Sequence, residues 1–260
     1  MARAIWKGTI RFGDAEVPVK LYSAVQDRGV HFRLLHKKDN APVEQRMVNP
    51  VTNRIIAPED IRKGYEVERG VFVVLDDEEL AELEPEPSRE IEVTRFVAPE
   101  HVDHPWYDRP YFLGPDGDEA AYFALAAALA KQGKEGVARW VMRKRPYVGA
   151  LRSEGDHLVL ITLRHADEVV PVSEIEGPAG RKLDAREVRM ARQLVHALED
   201  EFDPTAFRDE FRERVLQLVK AKAKGRKIAL EPPREKPETR DLSRMLEQSL
   251  NHAKREKRVA

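Results

Sequence analysis

The sequence predicts an α+β fold, a mostly antiparallel β-sheet or barrel followed by a helical C-terminal region. Three observations predict it. Segments of two-residue hydrophobic alternation lie both before and after one long alanine-rich segment, with no regular strand–helix–strand rhythm. Clusters of Gly, Asp, Asn and Pro separate them. After about residue 180 the apolar spacing changes from two to three or four.

The elements follow in order. Residues 2–12 alternate loosely through Ile5, Ile10 and Phe12, and residues 16–22 place Val17, Val19 and Leu21 on one face. Gly13-Asp14 turns the chain between them, and Pro18 suits an edge or an irregular start. Residues 30–36 and 43–48 read as a further strand pair joined by Lys38-Asp39-Asn40. The acidic run 76–79 reads as a helix start, where carboxylates suit the helix dipole. Residues 71–75 read as a short buried strand, and residues 89–97 and 111–113 as two more. Residues 118–131 are the long helix, ended by Gly133. Strands resume at 136–143, 147–152 and 157–163, the last two joined by Ser153-Glu154-Gly155-Asp156. Asp184 is placed to cap a helix with apolar positions Val188, Ala191, Val195 and Leu198. Pro204 is placed to open the next, whose stripe is Phe207, Phe211, Val215, Leu218 and Val219, with Gly225 as its end. Pro232, Pro233 and Pro237 make a stiff charged linker before a narrow final stripe at Leu242, Met245, Leu246 and Leu250.

Composition excludes several classes. The 260 residues contain no cysteine, so disulfides, thiolate metal sites and a cysteine nucleophile are out. The longest apolar stretch, 120–130, falls short of the roughly 18 residues of a membrane span. Lys7 and Arg11 interrupt any leader-like apolar run, so a cytoplasmic protein without membrane attachment is expected. No phosphate loop, GxGxxG turn or GxSxG elbow occurs. His101, Asp103 and His104 are the densest group of metal-ligand types, but they sit in a loop without a convergent third or fourth ligand. No catalytic residue, metal or cofactor is therefore assigned.

The net charge of −1 conceals an asymmetry. Residues 212–260 carry 15 Lys and Arg against 7 Asp and Glu, which leaves residues 1–211 with 30 against 39. A basic tail suits an acidic partner, most often nucleic acid, or equally a solvated helical arm. Cations also interleave with the strands: Lys37, Lys38, Arg46, Arg54, Arg62, Lys63, Arg109 and the run Arg143-Lys144-Arg145. No aromatic pair or recognition helix accompanies them. Nucleic acid would then be held by its phosphates and not read by its bases. A nuclease with an unrecognised carboxylate site and an adaptor that binds only protein are the rival readings.

The run Ala4-Ile5-Trp6-Lys7-Gly8-Thr9-Ile10-Arg11-Phe12-Gly13, followed by Val17-Pro18-Val19-Lys20-Leu21-Tyr22, resembles the opening of the bacterial Ku family. Further stations resemble it in order: Leu34-Leu35-His36-Lys37-Lys38-Asp39, Lys63-Gly64-Tyr65-Glu66, Arg109-Pro110-Tyr111-Phe112-Leu113, Thr162-Leu163-Arg164-His165-Ala166-Asp167, Glu201-Phe202-Asp203-Pro204 and Lys220-Ala221-Lys222-Ala223-Lys224-Gly225. Asp14-Ala15-Glu16 departs from the more apolar tripeptide usual there, and the basic tail is short.

The resemblance implies a β-barrel core with an extended bridge insertion and a C-terminal helical arm, two copies joining into a ring. It implies a core at 1–180 with the bridge at about 30–110, a dimerisation arm at 181–230 and a basic tail at 231–260. It implies a homodimer without catalytic activity that threads onto double-stranded DNA ends and recruits the ATP-dependent DNA ligase D for non-homologous end joining. Position and charge within that frame nominate Lys37, Lys38, Arg46, Arg54, Lys63 and Arg109 for DNA contact, and Phe207, Phe211 and Leu218 for the dimer arm.

Overall fold

Strands β1 (Trp6–Phe12) and β2 (Ala15–Ser23) form an antiparallel hairpin in the computed structural model, which describes residues 3–175, 177 and 184–225. The chain then leaves the sheet. It makes the hairpin β3 (Lys63–Glu68) and β4 (Val71–Leu75), the short helix α1 (Asp77–Glu82), and returns as β5 (Glu90–Val97). Strand β6 (Tyr107–Pro115), helix α2 (Glu119–Gln132) and the strands β7 (Glu135–Met142), β8 (Arg145–Glu154) and β9 (His157–Leu163) complete the sheet. Among the described residues seven strands close a barrel in the order β1-β2-β6-β9-β8-β7-β5. Every pairing in it is antiparallel except the closure, where β1 runs parallel to β5 with Ile10 opposite Ile91.

The alternation read from the sequence is the barrel's inner face. Val17, Val19 and Leu21 are buried, with Ile10, Ile91, Leu113, Leu151, Leu158 and Leu160. Helix α2 packs on this core through Tyr122, Leu125, Ala126 and Leu129. Tyr122 is fully buried and its hydroxyl is satisfied twice, donating to the Leu113 carbonyl at 2.6 Å and accepting from the Leu158 N–H at 2.9 Å. The helix runs one residue later than expected at each end, and Gly133 ends it as expected. Asp118 accepts from the Ala121 N–H at 2.9 Å, and Gly133 ends the helix in the left-handed conformation.

The insertion between β2 and β5 departs from expectation. Residues 30–36 and 43–48 are not strands; only the isolated bridges Leu35↔Pro42 and Val48↔Ile55 occur there. Among the described residues no neighbouring strand or apolar face supports them, and Phe32 and Met47 are exposed. The segment instead makes the same turn twice, 13 residues apart. The His36 N–H donates to the Ala41 carbonyl and the Asn40 N–H to the His36 carbonyl; Asn49 repeats the first with Arg54, and Asn53 the second with Asn49. Asn40 and Asn53 are both left-handed, as Asn tolerates. Strand β4 forms where expected but is exposed on both faces, not buried. Residues 90–97 and 107–115 belong to the barrel, so the segment outside it is 24–89, narrower than the expected bridge of about 30–110. Asp76 and Glu79 form a capping box on α1, the acidic helix start expected there.

By chain contacts the protein divides into two units, Met1–Arg28 with Phe32–Glu174, and Gly29–His31 with Ile175–Ala260. The second contains α3 (Ala185–Ala197) and α4 (Glu210–Ala223). Asp184 caps α3 as read from the sequence. The next helix does not open at Pro204. Asp203 binds the Thr205 N–H and stops the chain in one 3-10 turn, and Asp209 caps the true start by accepting from Arg212 at 2.9 Å. Phe207 therefore lies ahead of the helix and Phe211 within it. The linker, the final apolar segment and the tail at 231–260 lie outside the described residues.

Candidate nucleic-acid interface

The insertion leaves and rejoins the barrel at one end. Strand β2 finishes with Ser23 opposite Tyr111, in the middle of β6, and the Ala24 N–H reaches the Pro110 carbonyl at 3.3 Å, so the chain leaves toward the start of β6. Strand β5 re-enters with Ile91 opposite Trp140, near the end of β7. The same end carries the β7–β8 turn Arg143-Lys144, the first residues of β6 and β8, and the last of β9. Sequence order thus brings the insertion and the cations at 109, 143–145 and 164 to one side of the fold.

Charge divides along the insertion. Residues 28–63 carry 8 Lys and Arg against 4 Asp and Glu, and residues 64–88 carry 1 against 9. Lys37 and Lys38 sit at the tip of the first repeated turn, where Asp39 is occupied by the His36 ring at 2.8 Å and the Ala41 N–H at 3.0 Å. These contacts hold the Asp39 carboxyl below the usual carboxylate range. Arg54 closes the second turn. Lys37, Lys38 and Arg54 are exposed and have no carboxylate partner among the described residues, and the same holds for Arg33 and Arg62. Arg46 and Lys63 differ: Arg46 meets Glu44 at 3.2 Å and Lys63 meets Asp77 at 2.9 Å. Both pairs are solvent-exposed, so each holds its cation by less than about 1 kcal/mol and can yield it to a phosphate.

Arg109 is not in the insertion but in β6, its guanidinium 5.8 Å from the centre of the Tyr111 ring. Burial pushes the Tyr111 hydroxyl up, with Arg109 opposing the shift. Arg109, Tyr111, Arg145, Tyr147 and Arg164 line one pocket of about 440 Å³. The sequence places Arg143-Lys144-Arg145 among the interleaved cations without nominating it for DNA contact, and carries Arg164 only within a family-like run. No periodicity links 109, 145 and 164; the neighbour order β6-β9-β8 does.

His101 and His104 fall in two separate 3-10 turns, and among the described residues no three His, Asp or Glu side chains are grouped to hold a metal. No described helix is long and apolar enough to cross a membrane. In the second unit Phe207 and Phe211 are about three-quarters exposed, Val195, Leu198 and Phe202 are exposed too, and Leu218 is half-buried.

Residues 11–190 match a family model described as the Ku70/Ku80 beta-barrel domain. The chain is 40% identical over 251 residues to the "Non-homologous end joining protein Ku 2" of Geotalea uraniireducens (strain Rf4), covering 95% of this chain and 96% of that one. It is 38% identical over 260 residues to the "Non-homologous end joining protein Ku" of Anaeromyxobacter sp. (strain K), covering 98% and 87%. It is 32% identical over 259 residues to the protein of that name in Bacillus subtilis (strain 168), covering 98% and 83%. The closed barrel with its long insertion after β2, and these matches along nearly the whole length, have one common source: the chain belongs to the Ku family.

Proposed function

We infer that this chain acts as a homodimer that binds the ends of double-stranded DNA, threads onto the duplex without sequence preference and recruits an ATP-dependent DNA ligase D in non-homologous end joining. The shared name of its relatives supports the end-joining role. The observation that carries the reading is the insertion at 24–89. Its basic half offers cations without internal partners, which suits phosphate contact and needs no base geometry. Its acidic half repels a duplex and limits the insertion's own share of the contact to its basic half.

The second copy is argued from the apolar surface. In the β3–β4 hairpin Tyr65, Phe72, Val73 and Val74 are all exposed. A lone two-stranded hairpin is marginal in water, and contiguous exposed apolar surface marks an interface. Phe207 and Phe211 present a further uncovered patch in the arm. A two-fold dimer buries identical patches on both copies and would cover this apolar surface. The bore assignment of Lys37, Lys38, Arg46, Arg54, Lys63 and Arg109, and the arm assignment of Phe207, Phe211 and Leu218, are parts of this proposal.

The test is a gel shift with one plasmid in two forms, linearised and covalently closed, at several salt concentrations. Binding to the linear form alone is the expected result, because a closed ring loads only from ends. Equal binding to both forms overturns the threading mechanism. The ligase step is read separately, as stimulation of end joining by purified ligase D.

A further inference from the structure

We propose that the pocket between β6, β8 and β9 is a phosphate site, formed by the guanidinium groups of Arg109 and Arg145 with the hydroxyls of Tyr111 and Tyr147. It rests on the duplex-binding reading, which already names Arg109, and adds Arg145 and the two phenols as its partners in holding one phosphate on the barrel itself.

Among the described residues two of the three guanidinium groups in the pocket have no carboxylate partner, and against Asp108 and Glu168 the three leave a net charge of +1. Arg164 is consumed by the fold. It donates to the Pro105 carbonyl at 2.8 Å and to the Tyr107 carbonyl, and pairs with Asp108 at 3.1 Å. The second Asp108 oxygen accepts from the Thr162 hydroxyl at 3.3 Å. The other carboxylate, Glu168, accepts from the His165 N–H at 2.7 Å. Arg109 and Arg145 have no carboxylate within ion-pair distance among the described residues. Arg109 and Arg145 are both exposed and stand at the open side of the pocket, where two unpaired guanidinium groups close together attract an anion more strongly than either alone.

The surroundings are built and rigid. The Arg109 backbone N–H is anchored to the Thr162 hydroxyl at 2.9 Å, fixing the strand from which its side chain leaves. The Tyr111 ring, 6% exposed, backs the Arg109 guanidinium, and its hydroxyl has no hydrogen-bond partner among the described residues. Tyr147 is held by stacking on the buried Trp140, with ring centres 5.4 Å apart. Arg145 follows a two-residue turn in which Arg143 and Lys144 both adopt left-handed backbone angles. Guanidinium groups offer paired N–H donors that match phosphate oxygens, and the phenols add single donors. The pocket lies at the barrel end where the insertion departs, so a duplex held by the insertion has phosphates at hand.

The experiment uses the full chain and a short labelled blunt duplex, with affinity measured over a range of salt. Arg109→Gln with Arg145→Gln is expected to weaken binding about tenfold at fixed salt. The double variant lowers the slope of log affinity against log salt by about 0.9, the value for one phosphate. The control Lys131→Gln with Lys134→Gln, which removes two exposed cations at the other end of the barrel, leaves the slope unchanged. Duplexes with 5′-phosphate and 5′-hydroxyl ends identify the source. A weakening on both means a backbone diester, and a weakening on the phosphorylated duplex alone means the terminal group. If wild type binds and the double variant keeps its affinity and slope, the pocket assignment is wrong and the duplex reading stands. If wild type binds no duplex, the duplex reading fails and inorganic phosphate is titrated by calorimetry. Binding heat that vanishes in the double variant then keeps the anion site, and no heat in wild type overturns it.

Discussion

The phenol of Tyr107 donates a 2.7 Å hydrogen bond to Glu135, a carboxylate only 1% exposed at the start of β7. Arg152 stands 3.6 Å from the other oxygen of the same carboxylate. A buried charge is tolerated because two strands supply its donor and its counter-ion. Burial first, and then the bond to Glu135, push the Tyr107 phenol up to about 12.

The sign of the pH dependence follows. The folded state holds the Tyr107 proton more tightly than the unfolded chain, whose phenol titrates near 10. The stabilisation is complete below about pH 10 and is lost as pH rises toward 12. Thermal melts from pH 9 to 12 are expected to show a smaller alkaline fall for Tyr107→Phe than for wild type. At neutral pH the same variant strips a donor from a buried carboxylate and costs about 1–3 kcal/mol. Equal alkaline falls in the two proteins would remove Tyr107 from this role.

Asp116 gives the opposite case at the acid end. Lys20 at 2.7 Å and Lys7 at 3.0 Å hold its carboxyl below the usual range. Its contribution is present above the ordinary carboxylate pKa near 3.9 and disappears as pH falls through the lower folded value. Asp116→Asn is expected to flatten the loss of melting temperature between pH 5 and 3. An acid profile identical to that of wild type would contradict the assignment.

Gly149 marks where the barrel wall has no spare volume. A Cβ there would stand 2.6 Å from the Ile161 carbonyl oxygen and 2.7 Å from the Trp140 ring. One neighbour is backbone and the other a buried indole, so neither can give way cheaply. Gly149→Ala is expected to cost about 1–3 kcal/mol in urea unfolding. Gly177→Ala, with nothing within 4 Å, is the neutral comparison.

Two groups of insertion cations are expected to separate in duplex titrations. Lys37→Glu, Lys38→Glu and Arg54→Glu each remove a cation with no internal partner, and each phosphate thereby released lowers the salt slope by about 0.9. Arg46→Glu and Lys63→Glu act on cations already shared with Glu44 and Asp77, and their effects are smaller. Unchanged slopes across the first three variants would take the basic half of the insertion out of the interface.

Phe207→Ser with Phe211→Ser probes the arm. Neither ring is buried within one chain, so the barrel's melt is expected to stay unchanged. Sedimentation is expected to show a shift from dimer to monomer. A dimer that persists in the double variant would place the self-contact elsewhere.

Local features were legible in the sequence because local forces decide them. Val17, Val19 and Leu21 alternate because a pleated strand has two faces, and Asp118 and Gly133 bound α2 through their own capping chemistry. The same local reading went astray where support from a neighbour was missing. Residues 30–36 and 43–48 have strand-like patterns, yet two repeated turns and an absent partner leave only isolated bridges. Pro204 looks like a helix start, yet Asp209 supplies the cap further along that segment.

Residue type alone marks the cationic half of the insertion as a candidate interface, since charge is read directly from the sequence. Which of the cations are free and which meet a partner depends on the folded neighbours. Arg46 and Lys63 found carboxylates, whereas Arg109 and Arg145, 36 positions apart, came to one pocket because β9 lies between β6 and β8. The cause is long-range strand pairing: β9 hydrogen-bonds to β6 on one side and to β8 on the other, and no short-range preference encodes a contact between distant strands.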